Sequence, residues 1–409
     1  MAGLILIPLK SFYLSQLERE QMGAFEKLIF PILKNHIKRN PLQKVPVKWE
    51  RVKRIGVFSN SAIGDTLFST PIFKILKSRF PEKEIIALLN PSNASLFQTN
   101  PNIDRVFLYS GKSWDFWKKV RELKKLKIDL VIIGHSNEPQ ATPLGILAGA
   151  KWIIKTPNHK NPFREFHSHP PVKPIEGVHG LFSRLEGLKL AGVEFSPNRV
   201  RPELYLKSEW QQEAQKVLNR FQIGKKGDSD RQKSGIKVVG FQIGASTLSR
   251  RWYPERWIEL GKKFLTYYPK GTILLVGGPG EKKVATQIYI QLFQTVGKRK
   301  RDDIPPVINL TGKLSLPVAT ALLGELDLLI SPDTGPLHLA ATLGTPTIGL
   351  FVVAHPSGSN PFWARDKHLY LYQPRTCPIC IAKKCKIPFC MLQLTPTQLF
   401  GTIRYLLSI

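Results

Sequence analysis

The stretch "SPDTGPLHLAATLGTPTIGLF", residues 331–351, combines several side chains that could bind an anion. It directly follows the apolar run "LDLLI", which is typical of a buried strand, and within its first eight residues it contains Asp333, Thr334, Gly335 and His338. Backbone N–H groups at the start of the next helix, together with the positive helix end, favour a phosphate. Gly335 permits close backbone approach, Thr334 offers a hydroxyl donor, and His338 could reach the same anion. The stretch therefore predicts a phosphate site.

Asp333 itself is poorly suited to bind a phosphate. It is better placed to accept hydrogen bonds from the backbone, from a sugar or from a neighbouring cation. A structural interpretation fits its position equally well, with Asp333 or Thr334 capping the helix and His338 satisfied in the wall of the fold. Position along the chain does not separate the two interpretations.

A second carboxylate stands at a comparable position in the first half, in "SNSAIGDTLFSTP", residues 59–71. Asp65 follows the apolar run "KRIGVFS" and lies between Gly64 and Thr66. A carboxylate in a loop between a strand and a helix could act as general base on a hydroxyl, with Gly64 and Thr66 on the acceptor side. The alternative is a helix cap, which is the commoner role of an Asp in such a loop.

The segment "GFQIGASTLSRRWYPERW", residues 240–257, places hydroxyl and guanidinium groups after another strand. Ser246 and Thr247 can donate to phosphate oxygens. Arg250 or Arg251 can pair with a diphosphate through two parallel hydrogen bonds. The segment therefore predicts further contacts to a diphosphate.

A glycine-rich turn, "GGPGEKK" at residues 277–283, follows the apolar run "TILLV". Gly277 and Gly278 let the backbone come close to a nucleotide, and Glu281 could accept a hydrogen bond from a ribose hydroxyl. The spacing differs from the G-x-G-x-x-G pattern of dinucleotide-binding folds.

Apolar runs of strand length alternate with helical segments from residue 53 onwards. Strands are predicted in the first half by "KRIGVFS", "KEIIALLN", "DRVFLYS" and "DLVIIGHSN", and in the second by "GIKVVGFQIG", "GTILLVGG", "VINLTG" and "DLLISPD". The alternation predicts an α/β fold with parallel sheets, in two successive units of similar size. In such sheets ligands bind outside the carboxyl ends of the strands, so both sets of loops are expected to face a shared cleft.

Three polar or proline-rich stretches separate these elements. Residues 156–180 are rich in Pro, His and Lys without a clear period, which predicts a long loop that a ligand could order. Residues 196–204, "SPNRVRPEL", predict a connection between domains, and residues 224–235 predict an exposed hydrophilic loop.

Residues 1–54 carry eleven Lys and Arg against four Glu. Apolar side chains recur there at roughly helical spacing between Leu17 and Ile37, and Pro31 is expected to kink or divide that helix. A basic amphipathic helix could lie on an anionic membrane surface. It could equally pack on its own domain, because amphipathic character alone does not separate the two.

The whole chain of 409 residues has 60 Lys and Arg against 30 Asp and Glu, a formal net charge of +30. This excess favours polyanionic partners such as nucleic acid, anionic lipid headgroups or phosphorylated substrates. With 42% hydrophobic residues the chain can bury full cores, which excludes a disordered protein. No apolar run reaches the roughly 18 to 20 residues that span a bilayer, and the start "MAGLILIPLK" does not resemble a secretory signal. The sequence therefore predicts a cytoplasmic location.

The cysteines all lie in "CPICIAKKCKIPFC" near the C-terminus: Cys377, Cys380, Cys385 and Cys390. Four thiols in a short segment could hold a structural zinc ion, although paired knuckles usually have a longer gap between the pairs. Reduced thiols or a local disulfide are the alternatives.

Four of these motifs occur together in an order that resembles glycosyltransferase family 9, the heptosyltransferase-like enzymes. They are "AIGDTLFSTPIFKILKSRFP", "GASTLSRRWYPERW", "LLVGGPGEK" and "SPDTGPLHLAATLGTPTIGLF". The resemblance covers about residues 55–400 and implies a GT-B fold, two Rossmann-like domains with an active site between them. The resulting division is a basic N-terminal extension (1–54), an acceptor domain (55–200), a nucleotide-sugar donor domain (201–375) and a Cys-rich segment with a C-terminal helix (376–409).

The resemblance also implies a reaction, the inverting and metal-independent transfer of heptose from ADP-heptose to a lipopolysaccharide core acceptor. It places the general base at Asp65, the phosphate-loop hydroxyl at Ser246, and the cation, often Lys in the family, at Arg250 or Arg251. The donor diphosphate and sugar would lie at Asp333, Thr334, Gly335 and His338. No cofactor is then required, and the protein would act at the inner face of the cytoplasmic membrane on a lipid-linked anionic acceptor.

Three alternatives remain open on the sequence alone. A different nucleotide sugar could be used to build another cell-surface glycan. The basic charge and the cysteines could belong to a nucleic-acid-binding protein, although the basic residues are dispersed and no recognition helix or RNA-binding motif is found. The third alternative is a catalytically idle scaffold. The presence of Asp65 and of the "DTGPLH" loop, both part of the family's motifs, argues against it.

Overall fold

The computed structural model describes residues 22–136, 139–296, 304–352, 354–377, 380–381 and 384–408. The described chain divides into two compact units. Unit 1 contains the described residues up to Ala94 together with Asn100–Val200. Unit 2 contains Ser95–Thr99 and the described residues from Arg201 onwards.

Unit 1 is built on a five-stranded parallel sheet with the strand order β3-β2-β1-β4-β5. The helices and strands up to residue 200 are, in chain order, α1 (Ala24–Arg39), β1 (Arg54–Ser59), α2 (Ile63–Arg79), β2 (Glu84–Leu89), α3 (Ala94–Phe97), β3 (Arg105–Leu108), α4 (Phe116–Lys124), β4 (Leu130–His135), α5 (Ala141–Leu147), β5 (Trp152–Lys155) and α6 (Gly180–Leu190). All belong to unit 1 except the short helix α3, which lies in unit 2 from Ser95 onwards. Strands β1, β2 and β4 are buried along almost their whole length. Continuous apolar runs are expected for parallel strands that are covered on both faces.

Helix α1 lies within residues 1–54 and packs against the core of unit 1 through Ile29, Phe30 and Leu33. Pro31 was expected to kink or divide this helix; it does not divide it, since the helix continues through Pro31 to Arg39. Pro31 is on the exposed side, and the buried residues before and after it hold both halves against the same core. Leu17 lies outside the described residues.

Unit 2 is built on a six-stranded parallel sheet with the strand order β11-β10-β9-β6-β7-β8. Its helices and strands from Arg201 onwards are α7 (Ser208–Asn219), α8 (Ser229–Ser234), β6 (Val238–Gln242), α9 (Pro254–Tyr267), β7 (Thr272–Val276), α10 (Lys282–Val296), β8 (Val307–Asn309), α11 (Leu316–Gly324), β9 (Leu328–Pro332), α12 (Gly335–Thr342), β10 (Thr347–Phe351), β11 (His368–Tyr372), α13 (Phe389–Leu392) and α14 (Pro396–Ser408). The predicted α/β class with parallel sheets is confirmed in both units.

Each sheet reverses its strand order once next to the first strand of its unit. In unit 1 the reversal lies between β1 and β4, and in unit 2 between β6 and β9. Ligands in open parallel sheets bind outside the carboxyl ends of the strands at such a reversal. The loops that follow β1, β4, β6 and β9 are therefore where a site is expected.

The stretch 156–180 is a long loop, as expected, with one 3₁₀ turn at Arg164–Phe166, and two of its histidines are held by hydrogen bonds. His167 is fully buried between Thr142 Oγ1 at 3.0 Å and Asn158 Nδ2 at 2.8 Å. His169 Nε2 accepts a hydrogen bond of 3.2 Å from Lys155 N. Burial holds the pKa of His167 well below its ordinary value.

The stretch 224–235, expected to be an exposed loop, contains helix α8 and a buried cation. Arg231 pairs with Asp327 Oδ2 at 2.9 Å and donates to Glu325 O at 3.0 Å. Burial of one guanidinium thus anchors a segment whose composition is otherwise hydrophilic.

Among the described helices, none combines the length and the apolar character that a membrane crossing requires.

Candidate active site

The loop after β9 in unit 2 gathers a cation, a histidine and a hydroxyl around Asp333. Arg250 Nη2 lies 3.6 Å from Asp333 Oδ2, and Arg250 Nη1 donates to the backbone oxygen of Asp333 at 3.1 Å. His338 Nε2 lies 3.6 Å from Asp333 Oδ1, and Ser359 Oγ donates to the same oxygen at 3.1 Å. The loops that follow β6 and β9 are thus joined at the reversal of the sheet.

The charge of Asp333 is stabilised by these neighbours. Burial alone would raise the pKa of Asp333, but the hydrogen bond and charge of His338, the charge of Arg250 and the hydroxyl of Ser359 hold that pKa below its ordinary value. A buried ionised carboxylate needs such partners. Asp333 is therefore an anion that positions a cation and an imidazole, as its poor suitability for direct phosphate contact predicts.

Thr334 occupies the N-cap position of α12, but its side chain makes no capping hydrogen bond to the helix. The hydroxyl lies 3.2 Å from Ser331 Oγ and 3.3 Å from Pro332 O. Gly335 begins the helix. The purely structural interpretation of Thr334 as a helix cap is therefore not what the geometry shows, and the N-terminal N–H groups of α12 keep the capacity to bind an anion.

The two arginines after β6 have different partners. Arg250 turns to Asp333, whereas Arg251 Nε donates to Ala245 O at 2.9 Å and Arg251 Nη2 lies 3.5 Å from Glu281 Oε1. Arg250 Nε is buried without a hydrogen-bond partner among the described residues.

The hydroxyls before these arginines differ as well. Ser246 is exposed, and Thr247 Oγ1 lies 3.1 Å from Ser249 Oγ. Both residues belong to the loop that follows β6, on the same edge of the sheet as Asp333.

Glu281 lies against the glycine backbones of two adjacent strand ends. A Cβ atom on Gly244 would stand 2.5 Å from Glu281 Cδ, and one on Gly278 would stand 3.1 Å from Glu281 Oε2. A Cβ atom on Gly277 would stand 3.5 Å from Glu281 Cβ. The carboxylate is therefore held between the loops after β6 and β7 and is fixed there by Arg251. A ribose hydroxyl could donate to it in this position.

In unit 1, Asp65 stands in the first turn of α2 and is held by two residues from distant parts of the chain. Arg184 Nη2 donates to Asp65 Oδ1 at 2.5 Å, and His135 Nε2 lies 3.6 Å from the same oxygen. The Asp65 side chain remains 32% exposed, so a substrate hydroxyl can reach it.

Arg184 is buried, with Nη1 donating to Gly180 O at 2.6 Å and the guanidinium 5.4 Å from the ring of Phe68. Burial lowers the pKa of Arg184, and the charge and hydrogen bond of Asp65 act against that shift. A buried cation of this kind fixes the direction of the carboxylate that it pairs with.

His135 reaches Asp65 because β4 is irregular at its end. The pairing of β1 with β4 shifts between Phe58 and Ser59, so that Ser59 lies opposite His135. Such a bulge re-aims a side chain at the end of a strand. His135 Nδ1 lies 2.8 Å from Ser61 Oγ, which ties the imidazole to the loop that carries Asp65.

The two residues that flank Asp65 in the chain, Gly64 and Thr66, differ in their exposure to solvent. Gly64 is partly exposed at the start of α2. Thr66 is fully buried and its hydroxyl donates to Ser59 O at 3.1 Å, so this side chain fastens α2 to β1.

Three residues of the two clusters were not found from the sequence, namely Arg184, His135 and Ser359. Arg184 lies 119 positions from its partner Asp65, and Ser359 lies 26 positions from Asp333. Neither belongs to a recognisable motif. "GHSN" at the end of β4 was the only available signal, since it places polar residues at the carboxyl end of a predicted strand.

The cysteine segment gives no support to the zinc prediction. All four cysteines are free thiols. Within the described part of the chain, no three His, Cys, Asp or Glu side chains come together in a group that could hold a metal ion. The raised pKa of Cys390 has burial as its main cause, with smaller contributions from Cys385 and Cys377.

The chain is similar to glycosyltransferases in sequence and in fold. Lipopolysaccharide heptosyltransferase 3 of Escherichia coli is 25% identical over 319 residues, which cover 74% of this chain and 86% of that protein. The crystal structure of a family 9 glycosyl transferase from Veillonella parvula superposes with a TM-score of 0.66 at 19% identity, covering 87% of this chain and 97% of that one. The structure of ADP-heptose lipopolysaccharide heptosyltransferase II of Escherichia coli superposes with a TM-score of 0.64 at 16% identity, covering 87% of this chain and 98% of that one.

These structural likenesses confirm the GT-B fold with two Rossmann-like domains. The family model for glycosyltransferase family 9 (heptosyltransferase) matches residues 175–389, more than half of the chain. The chain therefore belongs to glycosyltransferase family 9 and is a glycosyltransferase.

Proposed function

We propose that this enzyme transfers heptose from ADP-heptose to a lipopolysaccharide core or related lipid-linked acceptor, with inversion and without a metal ion. The observation that carries the proposal is the convergence of Arg250, His338 and Ser359 on the buried Asp333 beside the start of α12. The names of similar proteins support the choice of donor and acceptor, since they include an ADP-heptose lipopolysaccharide heptosyltransferase.

Unit 2 binds the donor in this proposal. The diphosphate lies at Thr334, Gly335 and the N–H groups of α12, and Arg250 supplies a cation. Ser246 and Thr247 add hydroxyl donors from the loop after β6. Glu281, beside Gly277 and Gly278, accepts from the ribose, and Arg251 holds Glu281 in place.

Unit 1 supplies the base. Asp65 takes the proton of the acceptor hydroxyl as that oxygen attacks the anomeric carbon, and the bond from that carbon to the diphosphate breaks. Attack from the face opposite the leaving group inverts the configuration. Arg184 and His135 fix the direction of the carboxylate.

The negative charge that develops on the leaving diphosphate is stabilised by fixed donors. Arg250 and His338 are already positioned by Asp333 before the donor arrives. The proposal therefore needs no metal ion to carry this charge.

We assign acceptor binding to residues 55–200 and donor binding to residues 201–375, with residues 1–54 and 376–409 as additions. The lipid-linked acceptor places the enzyme at the inner face of the cytoplasmic membrane. The excess of 30 positive charges favours that anionic surface.

A second candidate keeps the fold and the reaction but uses a different nucleotide sugar for another cell-surface glycan. The site fixes the diphosphate by more contacts than it offers to any particular sugar or base, which is the observation that keeps this candidate open.

Calorimetric titration with ADP, UDP, GDP and CMP, with and without magnesium, tests the donor. Saturable ADP binding that ignores magnesium, and that is lost in Thr334→Val/His338→Ala, is the expected result. Preference for UDP or GDP would discard ADP-heptose while keeping the reaction class, and binding of none would contradict the proposal.

Asp65→Asn tests the base because it removes the proton acceptor and keeps the size of the side chain. Transfer should fall about 10²- to 10⁴-fold while ADP affinity stays unchanged. Glu82→Gln, a change at an exposed carboxylate of the same unit, serves as the matched control and should be neutral. Equal loss of transfer and ADP binding would contradict the assignment of Asp65.

A further inference from the structure

Two helices of unit 1 expose a surface that combines aromatic and aliphatic side chains with cations. We define this α1–α4 surface by Leu28, Ile32, Trp114 and Trp117 together with the exposed cations of α1 and α4. Trp114 is 81% exposed and Leu28 64%, while Trp117 and Ile32 are 46% and 36% exposed. Large apolar side chains with such exposure cost free energy in water unless another phase or partner covers them.

The charges on this surface have one sign. The exposed cations are Lys27, Lys38 and Arg39 on α1 and Lys118, Arg121 and Lys124 on α4. Along these two fully described helices, no exposed position is acidic. The acidic residues Glu26 and Glu122 are only partly exposed, and Glu122 pairs with Lys119.

The two helices lie side by side in one layer. The rings of Phe25 and Phe116 are 5.2 Å apart near the start of each helix. Towards their ends, His36 lies close enough to Lys124 for that charge to lower its pKa, after the larger effect of burial. Both helices pack onto α5, all of whose residues are buried. The exposed faces therefore form one surface above a common core.

We propose that the α1–α4 surface docks on an anionic lipid bilayer. Tryptophan rings favour the boundary between headgroups and acyl chains, and leucine and isoleucine side chains gain by entering it. Lysine and arginine on the same surface are attracted by anionic headgroups. Shape and charge here match a membrane better than a nucleic acid, because Leu28 and Ile32 cannot stack with bases and are exposed between the cations.

The turn that carries Trp114 is hydrogen-bonded to the segment that follows β4. Trp114 lies in a short 3₁₀ turn, Ser113–Asp115, between the carboxyl end of β3 and α4. Gln140 Nε2 donates to Ser113 Oγ at 3.1 Å, and Gln140 follows the strand that ends with His135, the partner of Asp65. This inference rests on the proposed function only for the acceptor being lipid-linked.

Co-sedimentation of the full chain with vesicles tests the surface. The vesicles are phosphatidylglycerol mixed with phosphatidylcholine, or phosphatidylcholine alone. We expect binding to the anionic vesicles that weakens with salt. Trp114→Ser/Trp117→Ser should lower the partition coefficient at least about tenfold, since both rings leave the interface. The triple change Lys118→Gln, Arg121→Gln and Lys124→Gln should also lower the partition coefficient, by about fivefold for each cation removed.

A matched control removes three exposed cations from unit 2, with Lys216→Gln, Arg220→Gln and Lys225→Gln. It has the same change in net charge and should stay within about twofold of the wild type. An equal loss in this control would show that only net charge matters and would overturn the proposal. Unchanged vesicle binding in both surface variants would also overturn the proposal. The same holds if these variants lose binding to single-stranded RNA but keep binding to vesicles.

ADP titration of every variant separates this inference from the proposed function. Variants that lose vesicle binding and keep ADP affinity are folded and support the surface. If the wild type binds ADP but no anionic vesicle, the surface proposal fails and the proposed function stands. If the wild type binds vesicles through the α1–α4 surface but binds no nucleotide, the proposed function fails and the surface proposal stands.

Discussion

The Asp65 carboxylate is paired with a buried arginine, which has consequences for how a general base can work. Arg184 cannot act as a base or move easily, because its guanidinium is buried and also donates to Gly180 O. Arg184 pairs with Oδ1, so that in the proposed reaction Oδ2 takes the proton of the acceptor hydroxyl. In the proposed mechanism Arg184 is thus a positioning residue, and its loss is expected to misplace the reacting oxygen.

Arg184→Met should lower kcat about 10²-fold while leaving the affinity for ADP unchanged, because a displacement of about 1 Å at a reacting group has that effect. Arg184→Lys should restore part of kcat by keeping a cation. The measurement is transfer kinetics together with ADP calorimetry and thermal unfolding. A fall in melting temperature with an unchanged kcat would show that Arg184 only supports the fold.

The two arginines after β6 should separate in their effects on the donor. Arg250→Ala should weaken ADP binding about 10- to 100-fold, since a hydrogen bond to a charged group contributes about 1.5 to 3 kcal/mol. Arg251→Ala should have a smaller effect, because Arg251 contacts Glu281 and Ala245 and not Asp333. Calorimetry on both variants checks this, and a larger loss for Arg251 would exchange their roles.

The sequence predicted the cluster of residues around Asp333 better than the cluster around Asp65. Asp333, Thr334 and His338 are close in the chain, so their common location follows from the strand and helix around them. Arg184 could not be predicted as a partner of Asp65, because a separation of 119 residues can be bridged only by knowing how α6 packs on α2.

Among the elements, the strands that lie inside the sheets were predicted most readily. Their apolar runs are continuous because helices cover both faces. Helix α8 was not predicted, since "DSDRQKS" is hydrophilic and its anchor is the buried Arg231, which pairs with Asp327 and donates to Glu325 O. The bulge before His135 was also not predicted, because one extra residue in a strand leaves no mark on its composition.

Gly244, in the loop after β6, shows how an element shapes the proposed nucleotide site. Gly244→Ala would place a Cβ atom 2.5 Å from Glu281 Cδ, so the flexible carboxylate would have to move. We expect ADP affinity to fall about tenfold, as one charged hydrogen bond is lost, while pyrophosphate, which has no ribose, binds as before. Gly280→Ala, where a Cβ would meet nothing within 4 Å, is the matched control. Equal loss of ADP and pyrophosphate would contradict a ribose contact by Glu281.

Across the whole molecule, both units bury neutral histidines. His167 and His169 lie in unit 1 with rings 5.8 Å apart, and burial lowers the pKa of each. His368 lies in unit 2 at the start of β11, and burial lowers its pKa to about 4, with Asp366 acting against and Lys367 adding to the shift. The chain already carries a large positive charge, so further protonation in acid would add to its repulsion.

The pH dependence of stability follows from the sign of these shifts. Above pH 6.5 His368 is neutral in the folded and the unfolded chain and contributes no pH dependence. As the pH falls from 6.5 towards 4, the unfolded chain takes up a proton that the folded chain refuses, so stability decreases by about 3 kcal/mol in full. His167 and His169 act in the same direction, so a variant at one site removes only part of the effect.

His368→Asn keeps a polar atom within reach of Thr347 Oγ1, which lies 3.1 Å from His368 Nδ1, and cannot be protonated. Its melting temperature should therefore fall less between pH 7.5 and pH 4.5 than that of the wild type, by several degrees at about 2–4 °C per kcal/mol for a unit of this size. Thermal unfolding at the two pH values measures the difference. His355→Asn, at an exposed histidine, is the control and should retain the full wild-type decrease. A decrease in His368→Asn as large as that of the wild type would mean that His368 accepts its proton in the folded chain.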